Sequence, residues 1–101
     1  PVVASLNDLD LRQREIFLRD MTLLGDALLE VTGAWRINYE ILGNSEPALH
    51  AHVVPRYLAE PEDYRKGPVW FYPWENVPKF DPQRHKALMD KIRAALAQRL
   101  A

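Results

Sequence analysis

The period of the hydrophobic pattern changes at Gly33, and the change dictates a helix followed by strands. Before it, Phe17, Met21, Leu24, Leu28 and Val31 recur at spacings of four and three, which gathers them on one side of a helix and leaves Arg14, Asp20 and Asp26 to water. Asp10 and Gln13 form a capping-box pattern at the start, and Gly33 suits a left-handed cap at the end. Such a stripe could form a groove for a partner, but the expectation is a core face. After Gly33, Ile37, Tyr39 and Ile41 alternate with Arg36, Asn38 and Glu40 between Trp35 and Leu42, the two-residue period of a half-buried strand.

The cluster Gly43-Asn44-Ser45-Glu46-Pro47 then predicts a polar turn, and a second extended run follows from Leu49 to about Tyr57, so an antiparallel hairpin is the simplest connection. A lone hairpin is marginal in water and needs further cover. Val69-Trp70-Phe71-Tyr72, between Pro68 and Pro73, is expected to add a short edge strand or an aromatic loop. Asp81-Pro82 reads as a helix start, with Leu88, Ile92, Ala95 and Leu96 on one face of a closing helix. Pro1 to Ala4 reads as the end of a strand. The expected class is α+β: an antiparallel sheet, a long helix before the central hairpin and a C-terminal helix, in one domain over residues 1–101.

With 101 residues, all elements must share one core. Thirteen basic against fourteen acidic residues, with no basic stripe, exclude the electrostatic footprint of a nucleic-acid polymer partner but not of a small phosphorylated ligand. The absence of cysteine removes disulfides, thiol catalysis and cysteine metal sites. Neither a signal peptide nor a membrane-spanning run is visible, so the expected location is the cytoplasm, with no membrane partner.

The chemistry-bearing stretch is Leu49-His50-Ala51-His52-Val53-Val54-Pro55-Arg56. On a strand His50 and His52 share one face, about 7 Å apart, while Leu49, Ala51 and Val53 turn inward. A neutral imidazole can act as a nucleophile while a protonated neighbour donates to a leaving group or a phosphate oxygen. Asn44 and Ser45, just before this strand, offer neutral donors to phosphoryl oxygens. By itself the pair also fits solvent-facing strand histidines, or two ligands of a zinc ion with His85 as a distant third. Arg56 and Lys66 are further candidates to reach phosphate, though single basic residues are commonly just solvated.

With Gly43-Asn44 and Pro47 ahead of it, the stretch resembles the signature of the histidine-triad (HIT) superfamily, and the order helix, strand, loop, strand matches. The resemblance implies that His50 is the nucleophile forming a covalent nucleotidyl intermediate, that His52 contacts the phosphate or leaving group, and that Asn44, Ser45 and Asn38 bind the phosphate. It implies no cofactor and no metal in the histidine step. It also suggests a homodimer.

Two departures accompany it. Ala48 stands where the first histidine of the triad is expected, so support for the nucleophile must come from elsewhere. The N-terminal strands of the usual fold have no counterpart ahead of Pro1, which suggests a fragment, a short version or a sheet covered by a partner subunit. Trp70, Phe71, Tyr72 and Trp74 could stack on a base, cross a dimer interface or pack over the sheet. The expectation is a nucleotidyl hydrolase or transferase acting on a nucleoside phosphoramidate or polyphosphate. The alternative is a nucleotide-binding or interaction module of the same fold with weak or no catalysis.

Overall fold

A computed structural model describes residues 2–100. Helix α1 runs over Leu11–Thr32, strands β1 and β2 over Arg36–Glu40 and His52–Arg56, the single turn α2 over Glu62–Arg65, and helix α3 over Lys86–Leu100. The α+β order expected from the hydrophobic periods is the order observed. Helix α1 starts where Asp10 accepts from the Gln13 N–H at 2.8 Å and Gln13 returns the bond to the Asp10 N–H at 3.1 Å. It ends at Gly33, whose φ of 66° is a left-handed conformation that a side chain would oppose.

The strands pair antiparallel, with Ile37 opposite Pro55, Asn38 opposite Val54, Tyr39 opposite Val53 and Glu40 opposite His52. Opposite residues share a face, so Ile37, Tyr39, Val53 and Pro55 form one side and Arg36, Asn38, Glu40, His52, Val54 and Arg56 the other. The first side lies on α1. Tyr39 crosses the helix at Gly25, where an added Cβ would stand 2.9 Å from the ring Cζ. Helix α3 packs along α1 through buried Ala95, and Arg99 Nη2 donates to Glu30 Oε1 at 3.0 Å. Met21, Ala27 and Leu28 complete the buried apolar set among the described residues.

Three expectations change. Val2 to Ala4 form no strand; the stretch only offers the Val3 carbonyl to the Leu49 N–H at 2.8 Å, and Pro1 lies outside the described residues. Both strands are shorter than their alternating patterns, so His50 precedes β2 rather than lying in it. The closing helix begins at Lys86 rather than at Asp81-Pro82, with turns between. Of its two expected forms Val69–Phe71 takes the loop, as a 3-10 turn, because Pro68 removes a ladder donor and the Tyr72 N–H turns back to Val69.

The second side of the hairpin is held to the following segment by Arg56, which is 2 % exposed. All five guanidinium N–H groups are used: Nε and Nη2 on the Glu60 carboxylate, Nη2 also on the Tyr64 carbonyl at 2.8 Å, and Nη1 on Asn38 Oδ1 and the Gly67 carbonyl, both at 2.7 Å. Glu60 also accepts from the Tyr57 N–H and the Tyr72 hydroxyl. Burial alone would raise the Glu60 carboxyl, but the bonds from Arg56, Tyr72 and the Tyr57 N–H outweigh it and hold it at about 2. Arg56, a candidate phosphate ligand in sequence, is therefore a buried structural clamp. Lys66 pairs with Glu62 at 2.8 Å.

Arg56→Ala strands a buried carboxylate and should lower the unfolding free energy by about 3–5 kcal/mol, read from denaturant titration. Because the folded Glu60 carboxyl lies below its ordinary 4.5, its contribution is complete above that value and fades as pH falls toward about 2. Melting curves between these limits should therefore drop more steeply for the native chain than for Glu60→Gln.

Candidate functional site

The turn from Gly43 to Pro47 folds back over the entrance of β2. Gly43 adopts φ 71°, the left-handed geometry that redirects the chain and leaves Asn44 and Ser45 on an exposed rim. Below that rim, His50 and His52 stand half-buried with ring centroids 5.1 Å apart, edge to face. The Trp70 ring closes the wall, edge-on to His52 at 4.9 Å. Leu42, Gly43, Asn44, Ser45, Glu46, His50, His52 and Trp70 enclose a cavity of about 470 Å³. A second depression of about 400 Å³ reaches His50 from the other side, bordered by Ser5 and Asn7.

His50 Nδ1 lies 2.8 Å from the Ala48 carbonyl oxygen. A carbonyl can only accept, so Nδ1 carries a proton, and in the neutral ring Nε2 then holds the lone pair. The alanine that replaces a side-chain partner thus still supplies a main-chain one. That bond is local to the turn and does not depend on which side chain residue 48 carries.

Glu40, directly across the ladder from His52, was not among the candidates in sequence. Its Oε2 accepts the Trp70 indole N–H at 2.7 Å, while Oε1 is buried without a hydrogen-bond partner among the described residues. In the alternating pattern it reads as a solvent-side strand residue, and its bond to Trp70 joins it to a segment that returns over the hairpin. The segment around Ser5 and Asn7 was equally invisible, since its place beside His50 follows from chain packing.

The structure therefore brings His50, His52, Asn44 and Ser45 around one cavity and leaves Asn38 elsewhere. Asn38 spends its amide oxygen on Arg56 and borders a larger, open depression of about 750 Å³ along the unpaired edge of β1. That depression is bordered by Arg36, Arg65 and Lys66 but holds no imidazole, so the chemistry points to the smaller cavity. His85 is taken up in folding: its Nδ1 accepts the Asp81 N–H at 3.0 Å, and Asp81 Oδ1 caps the Gln83 N–H in return. Tyr72 is likewise committed, bonded to Glu60 and stacked on Tyr64. Among the described residues no three His, Cys, Asp or Glu side chains gather closely enough to hold a metal ion, and no helix is long and apolar enough to cross a membrane.

No protein-family model matches this sequence, and no curated protein matches it either. Solved structures do. A histidine triad (HIT) protein from Sinorhizobium meliloti 1021 aligns with a TM-score of 0.79 at 25% identity over 92% of this chain and 66% of its own. A histidine triad protein from Marinobacter aquaeolei VT8 gives 0.77 at 26% identity, covering 95% and 67%. One from Bradyrhizobium japonicum gives 0.72 at 23% identity, covering 95% and 69%. The chain has the histidine-triad fold and spans about two thirds of the length of these proteins.

The two hydrogen-bond roles of Nδ1 set opposite tautomers. Ring nitrogen shifts of histidine-labelled protein should report Nδ1–H for His50 and Nε2–H for neutral His85. A neutral Nε2–H form at His50 would leave Nε2 without a lone pair for attack.

Proposed function

We propose that this chain is a cytoplasmic nucleotidyl hydrolase or transferase of the histidine-triad type, acting on a nucleoside phosphoramidate or polyphosphate through His50. The single observation that carries the reading is the His50 Nδ1 bond to the Ala48 carbonyl, which leaves Nε2 nucleophilic beside a cavity rimmed by amide and hydroxyl donors. Nε2 attacks the α-phosphorus, a P–N bond to imidazole forms, and the P–N or P–O bond to the leaving group breaks. The ring becomes cationic, and its Nδ1–H bond to the carbonyl strengthens as that charge grows.

His52, protonated, gives its proton to the departing amine or oxyanion. Asn44 and Ser45 donate to the non-bridging phosphoryl oxygens. Water then attacks the nucleotidyl-histidine while neutral His52 takes its proton, the P–N bond to His50 breaks, and the nucleotide leaves with both imidazoles back in their starting forms. The Trp70 face, held beside His52, suits stacking of a base or a flat leaving group. Asn38 has no part in this reading.

A dimer accompanies the proposal. The radius of gyration is 15.2 Å, against about 13 Å for a compact domain of 100 residues. Trp35, Leu42, Phe71 and Trp74 stay exposed. A second copy covering part of that apolar surface accounts for both, and light scattering should give twice the 11.7 kDa chain mass.

The second reading, a nucleotide-binding or interaction module of the same fold, rests on Ala48, which removes one imidazole from the site. Turnover of an adenosine phosphoramidate separates the two. The native chain should hydrolyse it and His50→Ala should lose activity by about a thousandfold or more, with a transient mass increase of one nucleotidyl group on the native protein only. Equal turnover in both sinks the enzymatic reading, and AMP binding by calorimetry without turnover selects the module.

A further inference from the structure

Glu40, opposite His52 in the ladder, carries a carboxylate that the mechanism above leaves unused. Its two oxygens have unequal surroundings. Oε2 anchors the Trp70 indole at 2.7 Å, whereas Oε1 is shielded from solvent and unpartnered among the described residues. A buried acceptor left empty is costly unless a donor reaches it at some stage of the working cycle. Glu46, which lines the cavity, turns its Oε1 to the Ala48 N–H instead.

The residue set opposite it by the ladder is His52. The two residues oppose each other across the ladder on the same face, a placement that sets Cβ atoms about 4.5–5.5 Å apart. Trp70 completes a triangle, bonded to Glu40 and packed edge-on against His52. We propose that Glu40 is a positioning residue for His52: Oε1 accepts a ring N–H once the ring is protonated, while Oε2 keeps Trp70 fixed as the wall the ring turns against.

An imidazolium has two N–H donors. With one spent on Glu40, the other is held toward the cavity, where the leaving group departs. The ring is thus aimed by a carboxylate behind it, as an outer partner orients a working histidine elsewhere. This inference rests on the proposed function for its catalytic meaning but not for its geometry.

The test separates the two. In the native protein at about pH 5, below the ordinary histidine range, the His52 ring proton and the Trp70 indole proton should both be visible and slow to exchange with water by NMR. Glutamine presents a single acceptor oxygen, so Glu40→Gln should lose one of the two protected protons, and Glu40→Ala both. With an adenosine phosphoramidate, both variants should lose about 10–100-fold in kcat with KM nearly unchanged, a split that a loosened fold would not produce. A native spectrum without the His52 ring proton, or full kcat in Glu40→Gln, overturns the proposal. A native spectrum with both protons but no turnover would instead overturn the enzymatic reading and leave the Glu40–His52 contact standing.

Discussion

The arrangement of this protein depends on one buried guanidinium. Arg56 ends β2 on the side of the hairpin away from α1, and its donors reach backward to Asn38 on β1 and forward to Glu60, Tyr64 and Gly67. A charge buried to this degree is tolerable only because every donor is met and a carboxylate lies opposite. The consequence is topological. The irregular segment after β2 has few buried apolar side chains of its own, yet it is bound back across the hairpin, and that return brings Trp70 onto His52.

The hairpin then divides the labour between its faces. Tyr39 and Val53 face α1, where Gly25 makes room for the tyrosine ring. The same pleat commits Glu40 and His52 to the opposite face. Stability and chemistry are thus carried by alternate residues of the same short strands, and a slip of one residue in register would exchange them. His50 escapes this alternation because it precedes the ladder; its ring is fixed by its own turn, through a main-chain oxygen two residues back.

That local bond bears on the loss of one imidazole at Ala48. A side-chain partner can be deleted by substitution, whereas a carbonyl persists under any side chain so long as the turn keeps its shape. Gly43, in its left-handed conformation, and the Leu49 N–H bond to Val3 maintain that shape from either side. The tautomer of His50 is therefore a property of backbone geometry.

Much of the frame was legible in the residues themselves, because caps and periodicities act over a few positions. Asp10, Gln13 and Gly33 delimit α1 by bonds within four residues, and the change of period at Gly33 announces the hairpin. The grouping of His50 and His52 with Asn44 and Ser45 was also readable, since all belong to one turn and the strand it enters. Tertiary structure alone decided which polar residues face the cavity and which are consumed by the fold. Arg56 and Asn38 look like ligands in one dimension and are bound to each other in three. Glu40 looks like a solvent-side strand residue and is bound by an indole thirty positions later. Pattern reports whether a side chain lies on one face or the other of its own element; it carries no information about a distant segment that folds back upon that face.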